Sequence, residues 1–61
     1  MKLWIARSKR GFLFLYDYEP FESEDGRWET YGNCYSISDD LFPEVTYENS
    51  PQEIELKLVQ K

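Results

Sequence analysis

The chain predicts a small, mainly β domain: an antiparallel sheet of about four to six strands with one short helical turn. Three observations lead there. Short β-prone runs, Lys2–Arg7 and Phe12–Tyr18 first among them, are separated by turn clusters such as Ser8-Lys9-Arg10-Gly11. Two Trp, five Tyr and four Phe in 61 residues give a short chain enough ring area for a core. Ile54, Leu56 and Leu58 alternate with Glu55 and Lys57, a period of two.

Taken in order, Lys2–Arg7 reads as a strand entering a hairpin at Ser8–Gly11. Phe12–Tyr18 follows, with Phe12, Phe14, Tyr16 and Tyr18 on one face and Leu13 and Leu15 on the other. The first strand is likewise apolar on both sides, with Leu3 and Ile5 opposite Trp4 and Ala6. A strand with one wet face alternates cleanly. These two must be covered on both faces or lend one face to an interface.

Pro20 should end the second strand, leaving Phe21–Gly26 as an acidic loop. Arg27–Tyr31 and Cys34–Ser38 flank Gly32-Asn33, a two-residue turn signal that predicts a second hairpin. Ser38-Asp39-Asp40-Leu41-Phe42-Pro43 reads as a capped 3₁₀ turn that drops Leu41 and Phe42 into the core as a lid, with a short strand over Val45–Tyr47. For the last segment the alternation favours a strand over residues 53–59. The capping box Ser50-Pro51-Gln52-Glu53 leaves an α+β alternative, with a C-terminal helix from about 51.

The length allows a single small domain, residues 1–61. Such a chain buries only about 60% of its unfolded surface, so its stability is expected to be marginal. With no His and one Cys, the best proton-transfer side chain near neutral pH is absent and no CxxC site can form. Cys34 is expected to be a half-buried small side chain beside a turn. Glu22-Ser23-Glu24-Asp25-Gly26 invites a calcium reading, but Gly32 stands where an EF-hand needs Glu. Asp39-Asp40 reads as a cap, not as an acid–base pair. No enzyme activity, no metal and no cofactor are expected.

The net charge of −5 is unevenly spread. Met1–Gly11 holds Lys2, Arg7, Lys9 and Arg10 and no acid, whereas Phe12–Glu55 holds all twelve acids and Arg27 alone. Because Lys and Arg supply most nucleic-acid affinity, no nucleic acid is expected as partner. The apolar run Leu3–Ala6 stops at Arg7, too short for a secretory signal. Nothing approaches the roughly 18 apolar residues of a membrane helix. The expectation is a cytoplasmic protein with no membrane association.

Tyr and Trp are enriched at protein interfaces, and Tyr16, Tyr18, Trp28 and Tyr31 are the candidate partner-binding rings. The expected function is a non-enzymatic protein–protein interaction module, with a homodimer through the two-faced strands as one form of it. The alternative is an acidic phage or mobile-element inhibitor that occupies a basic groove of a host nucleic-acid enzyme.

Leu3-Trp4-Ile5-Ala6-Arg7, Leu13-Phe14-Leu15-Tyr16, Glu19-Pro20, Trp28 and, above all, Leu41–Pro51 carry a resemblance across nearly the whole chain. The chain resembles a group of short uncharacterised proteins of Bacteroides-type gut bacteria and their phages or integrated elements. The resemblance implies a stand-alone cytosolic protein and points to a mobile-element origin. It brings no activity, cofactor or catalytic residue with it.

Overall fold

The structure, a computed structural model, describes residues 2–55 and is mainly β. Six strands form: β1 (Lys2–Arg7), β2 (Leu13–Tyr16), β3 (Phe21–Glu22), β4 (Trp28–Glu29), β5 (Cys34–Ile37) and β6 (Gln52–Glu55). Four of them make an antiparallel sheet in the order β5-β2-β1-β6, and β3 and β4 make a separate two-stranded hairpin.

The β1–β2 turn forms where the sequence places it. Gly11 adopts a φ of 95°, its N–H donates to the Ser8 carbonyl, and the Ser8 N–H donates to the Phe12 carbonyl. Only a residue without Cβ takes that φ at little cost. The register sets Ile5 opposite Leu15, Arg7 opposite Leu13 and Ala6 opposite Phe14.

That register sorts the sheet into two faces. One carries Leu3, Ile5, Leu13, Leu15, Ile37 and Ile54, and its centre is the fully buried cluster of Ile5, Leu13 and Val45. The other carries Trp4, Ala6, Phe14 and Tyr16, with Ala6 and Tyr16 buried. Segment 38–50 brings Val45 onto the first face, and the β3–β4 hairpin reaches β1 through Trp28. The first face is covered by segment 38–50, while Trp4 and Phe14 on the second stay half-buried.

Segment 38–50 has almost no regular structure, and the Arg7 side chain makes most of its hydrogen bonds to the sheet. The Arg7 guanidinium donates from Nε to Val45 O (2.6 Å), from Nη1 to Gly11 O (2.8 Å) and Asp39 O (3.1 Å), and from Nη2 to Leu41 O (3.1 Å) and Phe42 O (3.2 Å). A guanidinium has five N–H donors, so each has a backbone carbonyl. Arg7 lies in phase with Leu3 and Ile5, and from that face it straps the loop to the sheet. Its own N–H donates to Ser50 Oγ (2.9 Å), closing the far end of the same segment.

Four local expectations give way here. Leu41 and Phe42 do not enter the core: they stay 48% and 46% exposed, and Val45 is buried instead. Arg7 draws their carbonyls inward, and Phe42 takes a positive φ of 50°. The 3₁₀ turn reduces to a single β-turn bond from the Leu41 N–H to Ser38 O, and no helix forms among the described residues. Asp39 caps a strand and not a helix, since its Oδ1 accepts from the Leu13 N–H (3.1 Å). Val45–Tyr47 is not a strand.

The second hairpin lies earlier than Gly32-Asn33 predicts. It is β3–β4, with Phe21 opposite Glu29, and it turns within the acidic segment read as a loop. Ser23 donates its N–H to Arg27 O (2.7 Å), and Gly26, at φ 80°, donates to Ser23 O. Gly32-Asn33 makes no hairpin because Asp17 holds it: the carboxylate accepts from both the N–H (2.7 Å) and Nδ2 (3.1 Å) of Asn33. Cys34–Ile37 therefore pairs with β2, and Cys34 is exposed, not half-buried.

At the C-terminal end, Gln52–Glu55 is a strand paired to β1, not the first turn of a helix. Ser50, the expected N-cap, spends its hydroxyl on Arg7 N and Thr46 O. The rest of the expected strand over residues 53–59 lies outside the described residues.

Candidate functional site

The four rings chosen from sequence fall into two places. Tyr18 and Tyr31 are 58% and 85% exposed, and they meet at the base of the β3–β4 hairpin. Their centroids are 6.5 Å apart with the rings nearly perpendicular. Phe21 completes the group, 5.1 Å from Tyr31. Edge-to-face and tilted contacts at these separations are favourable by about 0.5–1.5 kcal/mol each. They do not explain an 85% exposed ring.

Sequence reasoning missed Phe21 because Pro20 was read as opening a loop. The available signal was a ring one residue past a proline and ahead of a second β-prone run. The chain positions the group firmly. Asp17 fixes Asn33, the Gly32 N–H donates to Thr30 Oγ (3.1 Å), and Thr30 Oγ donates to Tyr18 O (3.3 Å). Glu19 and Glu22 flank the rings in sequence, and Glu29 sits across from Phe21.

Tyr16 and Trp28 lie elsewhere. Tyr16 is 2% exposed and belongs to the packed sheet. Trp28 is half-buried; its Nε1–H donates to Arg7 O (2.9 Å), and its ring lies 6.3 Å from that of Tyr47. It docks the β3–β4 hairpin on β1. Both rings also line a cleft of ≈580 Å³ between the β1–β2 turn and the hairpin tip. Phe12 and Phe14 share its floor, with Lys9, Arg10 and Arg27 among its walls.

Charge in the cleft is set by its ion pairs. Arg27 Nη2 lies 2.7 Å from Asp25 Oδ2. The hydrogen bond from Arg27, with a second from Ser23, holds the Asp25 carboxyl down to about 2. Lys9 and Arg10 have no such partner among the described residues. No group of three or more Cys, Asp or Glu side chains arranged to hold a metal ion occurs among the described residues, and no helix long and apolar enough to cross a membrane occurs among them.

Burial pushes the Tyr16 phenol up to about 12 from 10.0, and the charge of a Cys34 thiolate across the strand pair adds to it. The folded state therefore keeps its proton after the unfolded chain has lost it. The Tyr16 contribution to stability is constant below about pH 10 and is lost as pH rises from there towards 12. Tyr16→Phe is expected to flatten this alkaline decline. Urea melts of both proteins at pH 8, 10 and 11 check it; parallel losses in the two would show that Tyr16 is not the cause.

No family model matches the chain, and no curated protein or solved structure matches it either.

Proposed function

We propose that the protein is a non-enzymatic protein–protein interaction module whose contact face is the aromatic group Tyr18, Phe21 and Tyr31. The observation that carries this reading is the 85% exposure of Tyr31 within a contiguous, positioned trio. Single exposed apolar residues are ordinary, but a clustered patch rimmed by polar groups marks an interaction surface. The Glu29 carboxylate, opposite Phe21 on the same face, and Glu19, next to Tyr18 in sequence, favour a basic partner. Arg and Lys heads suit such a face twice over, by ion pairing and by stacking on the rings.

The alternative reading is an acidic phage or mobile-element inhibitor seated in the basic groove of a host nucleic-acid enzyme. The twelve acids of residues 12–55 support it. Salt separates the two readings. An interaction resting on many charges weakens steeply between 50 and 500 mM NaCl, as the Debye length shrinks from above 10 Å to about 4 Å. One resting on the three rings persists.

Tyr31→Ser is expected to weaken partner binding by about 2 kcal/mol, the scale of an interface hot spot, with little effect on folding. Comparing affinity capture and melting temperature of the wild type and the variant checks it.

A further inference from the structure

We propose that the cleft between the β1–β2 turn and the tip of the β3–β4 hairpin is a binding site for a mononucleotide, a planar heterocycle carrying a phosphate. Its composition runs against the rest of the molecule. Twelve of the nineteen charged residues are acidic, yet three of the seven cations, Lys9, Arg10 and Arg27, meet around this one cleft with Asp25 as the acid among its lining residues. Asp25 is paired with Arg27, and among the described residues Lys9 and Arg10 have no carboxylate partner.

The floor is aromatic and preformed. Phe12, Phe14 and Tyr16 alternate along β2 and its approach, so their side chains project to one side of the sheet, and Trp28 comes in from the hairpin. The indole is fixed by its bond to Arg7 O, so it needs no ordering on binding. The Lys9 stem lies along the hairpin tip, close to Gly26. Phe12 remains 50% exposed although it lines the cleft, so its ring is free to stack. At ≈580 Å³ the space is of the size that takes small ligands, about 300–1,000 Å³.

Ring and charge together name the ligand class. The exposed Phe12 ring, with Phe14 and Trp28 beside it, takes a planar heterocycle by stacking, and the Lys9 and Arg10 side chains lining the same cleft take a phosphate. A nucleic-acid strand fits the ring chemistry equally well, but it would run out of the cleft across an acidic surface, and strand affinity depends on continuous cationic contact. The occupant therefore carries one phosphate group or a short chain of them, not a polymer.

Isothermal titration of the full chain with adenosine 5′-monophosphate tests the proposal, with adenosine, inorganic phosphate and an eight-nucleotide deoxythymidine strand as separate probes. The expected result is saturable binding of the nucleotide with a Kd below about 1 mM. Adenosine and phosphate alone should each bind at least about tenfold more weakly. Arg10→Gln together with Lys9→Gln, and separately Phe12→Ala, should each weaken nucleotide binding about tenfold or more. All three residues are exposed, so melting temperatures should stay near the wild type. Tyr31→Ser should leave nucleotide binding unchanged, because the ring trio is at the other end of the hairpin. No saturation with the nucleotide would overturn the proposal, as would equal affinity in the Lys9/Arg10 double variant. Tighter binding of the strand than of the mononucleotide would replace it with a nucleic-acid site.

Discussion

Arg7→Ala is expected to cost about 3 kcal/mol of folding stability, lowering the melting temperature by 12 °C or more (about 4–8 °C per kcal/mol in a domain this small). Five guanidinium bonds to carbonyls disappear together, four of them to residues 39–45, and the segment that brings Val45 onto Ile5 and Leu13 loses its tether. Bonds to a charged donor are worth about 1.5–3 kcal/mol singly, but these share one side chain and several carbonyls stay within reach of water, so they do not sum. Against a total stability of roughly 3–9 kcal/mol for a chain of this length, the loss is severe.

Arg7→Lys separates charge from geometry. Lysine keeps the positive charge but presents three donors at a point, not five in a planar fork, and it cannot span Gly11 O and Val45 O at once. The lysine variant should recover less than half of the loss. Thermal melts of both variants, with hydrogen exchange at Val45, check this. Full recovery by lysine would show that the local charge holds the loop and that the five-carbonyl fork does not.

The second large effect is at Trp28. Replacing it by Ala removes a half-buried indole, its contact with Tyr47 and the bond to Arg7 O. The expected cost is about 2–4 kcal/mol, somewhat below that of a fully buried Trp. Trp28→Phe keeps most of the packing and loses the N–H, for about 1 kcal/mol. Chemical denaturation of the pair measures both. A Trp28→Ala protein as stable as the wild type would return Trp28 to the partner-binding role that its sequence position suggested.

Much of the sheet was legible in the sequence because β1 and β2 are continuous apolar runs around a turn with one well-placed glycine. Of the strand expected over residues 53–59, the described part is a strand, Gln52–Glu55, despite the capping box. What misled was short-range turn chemistry overruled from a distance. Gly32-Asn33 has the composition of a hairpin, but the Asp17 carboxylate, sixteen residues away, takes the Asn33 donors and turns β5 towards β2. Leu41 and Phe42 look like core residues until Arg7 claims their carbonyls. Arg7 itself was counted with the basic turn. The readable clue was its phase, two residues beyond Ile5 on the buried face.

The candidate site was half legible. Tyr18 and Tyr31 stand out as rings among acids, and the structure adds Phe21 to them. Tyr16 and Trp28 have the same composition signal, but no sequence pattern distinguishes a ring spent on packing from a spare one. Lys9, Arg10 and Arg27 are brought together only by the docking of one hairpin on another, a contact that has no local signature.

On the proposed function, the Tyr18–Phe21–Tyr31 face binds a basic protein and the fold does not need it. The most direct measurement is quantitative capture from a lysate of the source cells with the wild type and a Phe21→Ser/Tyr31→Ser variant, scored only where both melt cooperatively. The expected result is basic proteins retained by the wild type and depleted about tenfold or more on the variant, with the two melting temperatures within a few degrees. The same proteins held equally by both would contradict it.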